Sequence, residues 1–193
     1  MLHAIKHGLR NLFNVNGRDA RQTFWYYALF LLLLRWIAGT LAAVPLMRST
    51  MTTAFDATRN SADPDATATA VQANITAALP HLMVLGIVIG LISMAMLLAS
   101  LVRRLHDANL SGWFVLLPGV PYLLALAAAP SQVAHTMEVM QRGAHQPGVM
   151  LHETNWSVAA LGWLAFALLV ALAVRPSTPG ANRYGPQPLD GQV

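Results

Sequence analysis

One long stretch, apolar and uncharged, decides what this chain can be. Residues 79–102, LPHLMVLGIVIGLISMAMLLASLV, run for 24 positions without an Asp, Glu, Lys or Arg. About 20 apolar residues in helix are what the roughly 30 Å hydrocarbon core of a bilayer requires. Three further stretches, 24–47, 112–130 and 156–174, are comparably apolar, the first with one charge, Arg35. Their apolar residues fall in blocks, without the alternation of a half-buried strand or the period of a surface helix. With 55% hydrophobic and 10% charged residues, against about 25% charged in soluble domains, too little polar surface remains to cover a globule in water. The sequence predicts an all-α integral membrane protein, one domain over 1–193, with four transmembrane helices and an N-terminal amphipathic interfacial helix.

The first span opens on Trp25, Tyr26 and Tyr27, rings that favour the headgroup level. The third contains Pro118 and Pro121 and is expected to kink there, its freed carbonyls answered by neighbouring helices or water. The fourth stops at Arg175-Pro176. Within 1–15, Leu2, Ile5, Leu9 and Leu12 recur at helical spacing, with His3, Lys6, His7 and Arg10 around the remaining surface. That predicts a helix lying on the inner leaflet, where each basic residue near anionic lipid is worth about 1 kcal/mol. Asn16-Gly17 breaks it, and Asn16 is placed to cap the next helix with Asp19 in its first turn. The apolar stretch that follows exceeds the roughly 7–15 residues of a signal-peptide core, and no small-x-small site follows closely, so a retained anchor is expected. Residues 48–78, rich in Ser, Thr, Ala and Asp, read as a poorly structured loop with helix toward its end. Residues 131–155 read as a short helix, SQVAHTMEVMQR, and a Gly-Ala-His-Gln-Pro-Gly turn.

Orientation follows from Lys and Arg. Lys6, Arg10, Arg18, Arg21, Arg103, Arg104, Arg175 and Arg183 fall on one side of the spans, and Arg48, Arg59 and Arg142 on the other. The positive-inside rule puts both termini, the 103–111 turn and the tail 175–193 in the cytoplasm. The net charge of +4 is scattered in pairs between apolar segments, which gives no basic arm for nucleic acid. The absence of cysteine excludes disulfides, thiolate metal sites and a cysteine nucleophile.

Three polar stretches share that face: GRDARQTFWYY (17–27), RRLHDANLSGWF (103–114) and GANRYGPQP (180–188). A helical hairpin explains most of the second. Arg103, Arg104 and His106 complement the helix dipole, Asn109 takes a left-handed position, and Ser111 caps the next helix ahead of Trp113. It leaves Asp107 over, an anion at a helix end that disfavours anions; pairing with Arg18, Arg21 or Arg183 would answer it. Arg18, Arg21 and Trp25 fall at i, i+3 and i+7, one helix face. That is either ordinary anchoring with an aromatic belt, or two forked guanidiniums beside an aromatic, a site for phosphate. The Gly- and Pro-rich tail with Asn182, Arg183 and Tyr184 is expected to fold back on that face.

These stretches resemble the domain of unknown function 805 family of small bacterial inner-membrane proteins. The resemblance rests on Gly17, Arg18, Arg21, Phe24 and Trp25; on Arg103, Arg104, Leu105, His106, Asp107, Ser111, Gly112 and Trp113; and on Asn182, Arg183, Tyr184, Gly185 and Pro186. It covers nearly the whole chain, and the outer loops look like insertions to which nothing carries over. The resemblance implies membrane location and this architecture, and no established activity.

Arg35 is the one charge inside a span, eight residues beyond Tyr27 and thus about 12 Å in. Its expected partners are carbonyls freed near Pro118 and Pro121, Ser93, or lipid phosphate, and an intramembrane charge is a functional candidate by default. Gly86 with Gly90, Ala38 with Ala42, and Gly39 with Ala43 form small-xxx-small rows that let helices approach, within the chain or between copies. The histidines (His3 and His7 inside; His81, His135, His145 and His152 outside) do not converge, so no metal or other cofactor is expected.

Three functions remain. The first is a non-enzymatic membrane protein whose cytoplasmic face binds an anionic lipid headgroup or a protein partner, a second copy included, through Arg18, Arg21, Trp25, Arg103, Arg104, His106, Asp107, Trp113, Asn182, Arg183 and Tyr184. The second is an enzyme acting on a lipid phosphate with His106 as acid or base and Asp107 orienting it, though adjacent helical residues point about 100° apart. The third, a transporter or oligomeric channel, lacks polar lining in the spans apart from Arg35.

Overall fold

The computed structural model describes residues 1–60, 63–143 and 156–188. Among them are helices α1 (Leu2–Arg10), α2 (Arg21–Asn60), α3 (Pro64–Asp107), α4 (Leu116–Ala127), α5 (Ala129–Gly143) and α6 (Trp156–Ala173), with a 3-10 turn, Gly112–Val115, leading into α4. The one extended pairing among the described residues is an isolated bridge between Asn182 and Gly185. Helices α2, α3 and α6 are each long and apolar enough to cross a bilayer; α4 with α5 adds a fourth if that pair, bent by 42°, is one span. Their outer faces carry apolar side chains such as Trp36, Leu41, Ile92 and Phe166, all more than half exposed. This is the surface of an all-α membrane protein, whose solvent is lipid.

The segment 48–78 is not the loose connection expected. Helix α2 runs on through Pro45 to Asn60, and α3 begins at Pro64. The reason lies in the local chemistry. Asp63 accepts the Asp65 backbone N–H as N-cap and Pro64 opens the first turn, the favoured start of a helix. Asn74 of α3 donates to the hydroxyls of Ser49 and Thr50 on α2, each at 3.0 Å. Gln72 donates to the Met140 carbonyl on α5. At 40 and 44 residues, α2 and α3 are about 60 and 66 Å long, twice a bilayer core, so their paired ends project well beyond it.

The third apolar stretch breaks at Ala128, not at its prolines. Pro118 sits in the first turn of α4, where its missing N–H has no helical acceptor anyway. Pro121 gives up one bond inside the helix, and both prolines are buried. The helix expected at 131–142 lies within α5; the turn that follows lies, beyond Gly143, outside the described residues.

Helix α1 ends at Arg10, short of the expected 15, and buries Ala4 and Gly8. A Cβ on Gly8 would stand 2.4 Å from Cδ2 of Tyr27, so glycine lets α1 lie directly on α2. Leu2 and Leu9 point away and are exposed. Of the small-residue rows, Gly90 is packed among Tyr122, Leu126 and Arg35, whereas Gly39 and Gly86 face open space.

Candidate functional site

The three motifs meet at one end of the bundle, here called the cap, above a small core of Phe24, Leu101 and Ala173. The turn after α3 sets the geometry. Asn109 adopts φ 56°, with the Asn109 N–H bonded to the His106 carbonyl and the Leu110 N–H to the Leu105 carbonyl. This is a Schellman ending with Asn in the left-handed position. Ser111 stands at the N-cap of the 3-10 turn, but its hydroxyl makes no capping bond.

Asp107, fully buried, is the first node. Its Oδ1 accepts Nε and Nη2 of Arg18 at 3.1 and 2.9 Å, and its Oδ2 accepts Nη1 of Arg104 and the Ser177 hydroxyl. Arg18 reaches on to the carbonyls of Thr178 and Gly180, both at 2.7 Å, and of Gly185 at 3.3 Å. Arg104 donates to the carbonyls of Ala173, at 3.0 Å, and Arg175, satisfying the open end of α6. Of the three arginines offered as partners of Asp107, the geometry selects Arg18. It does so from outside the helix: α2 starts at Arg21, so Arg18 does not share a helix face with Arg21 and Trp25. Arg21 is exposed, and Trp25 packs edge-on to Phe24, 5.5 Å between centroids.

The second node is Asp19, which sequence reasoning placed in the first turn of a helix. It lies ahead of that helix, 2% exposed, and Asn16 caps nothing. Its Oδ1 accepts Nε of Arg103 at 2.9 Å and Nε2 of His7 at 3.0 Å, and its Oδ2 accepts the Ser100 hydroxyl at 2.9 Å. Burial pushes this carboxyl up, but the bonds from His7, Arg103 and Ser100 and the charge of Arg103 outweigh it and hold it below the usual range. Arg103 also donates to the carbonyls of Asn11 and Asn14, closing the end of α1. Neighbours 18 and 19 thus pair crosswise with 107 and 103. The available signal was the triplet Arg18-Asp19 with Arg21 close by: a carboxylate between two guanidiniums, facing a second Arg-Arg/Asp cluster.

The tail folds back as expected. Asn182 donates to the His106 carbonyl at 2.9 Å, and the Thr178 N–H to the Asp107 carbonyl. The His106 and Tyr184 rings stack at 3.8 Å with 6° between planes, and the Arg183 guanidinium lies 4.7 Å from the Tyr184 centroid, a cation–π distance. Burial pushes the His106 imidazole below the ordinary histidine range; the Arg183 charge acts the same way and the Gly17 backbone opposes both. Trp113 is 78% exposed at the rim. Two buried side-chain nitrogens at the cap, Arg103 Nη2 and His106 Nδ1, have no hydrogen-bond partner among the described residues.

Arg35 lies apart from the cap. Its Nη1 meets the Tyr122 hydroxyl at 3.2 Å, which in turn donates to the Gly90 carbonyl. Ser93 is bonded to its own helix at Ile89, so the partner of Arg35 is a tyrosine that sequence reasoning passed over.

Chemically the cap is two buried carboxylates held by three buried guanidiniums. Asp107 is committed to Arg18, Arg104 and Ser177, so among the described residues no carboxylate orients the His106 ring. Among the described residues no group of three or more His, Asp or Glu is arranged to hold a metal ion. No curated protein and no solved structure matches the chain. The family model described as "protein of unknown function (DUF805)" matches residues 12–186, from the end of the N-terminal helix to the proline that closes the tail motif. The chain belongs to the DUF805 family.

Proposed function

We propose that this is a non-enzymatic protein of the bacterial inner membrane, with both termini cytoplasmic, whose cap binds anionic lipid headgroups. The observation that carries this reading is the sorting of charge at the cap. Both described carboxylates there, Asp19 and Asp107, are buried, whereas Lys6, Arg10, Arg21, Arg175 and Arg183 are exposed. Among the described residues the cap thus hides its acids and displays cations, and such a surface attracts phosphate. The exposed Leu2, Leu9 and Phe13 beside them suit a helix resting in the headgroup layer. On this reading Arg18, Arg103, Arg104 and Asp107 serve as the frame, and Arg21, Arg183, Trp113 and the N-terminal helix make the contact. A lipid-phosphate hydrolase is disfavoured because His106 stacks on Tyr184 and has no carboxylate behind it.

The test is retention of lipid by the detergent-extracted full chain. Wild type should keep phosphatidylglycerol in preference to phosphatidylcholine. Exchange of Lys6, Arg10, Arg21 and Arg175 together to Gln should abolish that preference. A preference unchanged in the variant would overturn the reading.

A further inference from the structure

Two features left over from the cap adjoin each other. One is a shallow recess of about 420 Å³ between the α1–α2 linker, the end of α3 and the tail, lined by Val15, Val102, His106, Ser111, Trp113 and Tyr184. The other is an open groove of about 660 Å³ between α4 and α6, walled by side chains such as Leu117, Val120, Leu124, Leu161 and Leu164. Trp113 lines both. From Trp113 to Leu124 the groove follows about 16 Å of helix, close to half of a roughly 30 Å hydrocarbon core. It is one leaflet deep and apolar, and Trp113 is the residue it shares with the recess.

The recess supplies the opposite chemistry. His106 is more than nine-tenths buried and lines it, and Nδ1 of its ring is without a partner. The Ser111 hydroxyl, spared from capping, stands beside it. Arg183, exposed over the Tyr184 ring, adds a cation whose one hydrogen bond among the described residues is long, 3.4 Å, to the Asn109 carbonyl. Among the described residues no carboxylate lines the recess. A hydroxyl and an imidazole in the lining, with a guanidinium on the neighbouring Tyr184 ring, are a setting for an anion.

We infer that recess and groove are one site for a single anionic phospholipid, its phosphate against His106, Ser111 and Arg183 and one acyl chain lying along α4 and α6. This deepens the reading above by naming where one lipid is held, and it rests on that reading.

The experiment is native mass spectrometry of the full-length protein, delipidated in detergent and titrated with dioleoyl phosphatidylglycerol, dioleoyl phosphatidylcholine or glycerol phosphate. One phosphatidylglycerol should bind at least tenfold more tightly than phosphatidylcholine, and millimolar glycerol phosphate should not displace it. Val120→Trp and Leu164→Trp, each at a half-exposed groove position, fill the groove without touching the cap and should weaken that first adduct about tenfold. Arg183→Ala should do the same while leaving the melting temperature unchanged. Equal binding of the two lipids, displacement by glycerol phosphate, or full affinity in both tryptophan variants would overturn the site. If the groove variants retain phosphatidylglycerol while the Lys6, Arg10, Arg21, Arg175 exchange loses it, this inference fails and the broader proposal stands. If no variant alters the preference, both fail.

Discussion

Asp107→Asn changes one atom of a buried carboxylate, and the structure sets its consequence. In the folded chain Oδ1 receives two N–H groups from Arg18 and Oδ2 one from Arg104. The asparagine amide keeps one acceptor and turns two donors toward a guanidinium, whichever way it rotates. Two arginine side chains, at most 1% exposed, then lack their counter-charge. Removing one partner from a buried pair costs about 3–5 kcal/mol. At about 2–4 °C per kcal/mol for a chain of this length, the melting temperature in detergent should fall by about 6–20 °C. Arg21→Gln and Arg183→Gln, on exposed side chains, should each stay within about 0.5 kcal/mol of wild type. A double-mutant cycle locates the contact: Asp107→Asn with Arg18→Gln should couple by more than about 1 kcal/mol, and with Arg21→Gln by less than about 0.5. A melting point for Asp107→Asn within 2 °C of wild type, or equal coupling to Arg18 and Arg21, would refute the buried node.

Gly8→Val sets a side chain where a Cβ already meets the Tyr27 ring at 2.4 Å; it should detach α1, seen as faster hydrogen exchange over 1–17, and unchanged exchange there would sink the packing assigned to α1. Tyr122→Phe strips Arg35 of its hydroxyl partner and should cost about 1–3 kcal/mol, whereas Arg35→Leu, which removes a charge from among apolar helices, should be neutral or stabilising; the reverse order would exclude Tyr122 as the partner. Because the folded His106 titrates below the unfolded value of about 6.5, the unfolded chain binds that proton first, and stability falls as pH drops through about 6.5. His106→Gln should flatten the change in melting temperature between pH 7.5 and 5.5, and parallel slopes for the two proteins would contradict the shift. For the proposed orientation, single cysteines at Asn60 and Ser131 should react with an impermeant maleimide on intact cells and those at His3 and Gln187 should not; the opposite pattern would place the cap outside.

The spans were legible because lipid imposes a length and a polarity that composition alone satisfies, as at 79–102. The extension of α2 and α3 beyond the spans was not. Its Ala favours helix while its Ser, Thr and Asp do not, and what decides between them is the Asp63-Pro64 start and the reach of Asn74 to Ser49 and Thr50, a contact across 25 residues. Likewise the spacing of Arg18, Arg21 and Trp25 fits a helix face, but only the pairing of Arg18 with a residue 89 positions away explains why the helix waits until Arg21. Asp107 was singled out because a helix C-terminus repels anions. Asp19 escaped notice because its position suits a helix N-terminus, and a residue with a satisfactory local explanation prompts no search for a distant one. Proline misled in the same way: Pro118 and Pro121 are breakers by type, yet one falls in a first turn and both face the packed interior.

The excess of buried cations at the cap has its own logic. The C-terminal ends of α1, α3 and α6 all converge there, and only α2 and the 3-10 turn begin there. Each C-terminus leaves carbonyls open and carries about half a negative charge. Arg103 answers the carbonyls after α1, Arg104 those of α6, and Arg18 those of the returning tail, so each guanidinium spends part of its fork on another segment's backbone. Two carboxylates then suffice for three arginines, because helix ends and tail carbonyls supply the rest of the negative potential. Lysine, a point charge with three donors, cannot span a carboxylate and two separate carbonyls at once. Buried pairs of this kind contribute little net stability over an apolar packing. Their effect is on register, since only one arrangement of N-terminal arm, hairpin and tail lets every fork find both its carboxylate and its carbonyls. A rigid cap fixed in that way holds His106 and Tyr184 in the recess beside Trp113, the residue that also lines the α4–α6 groove.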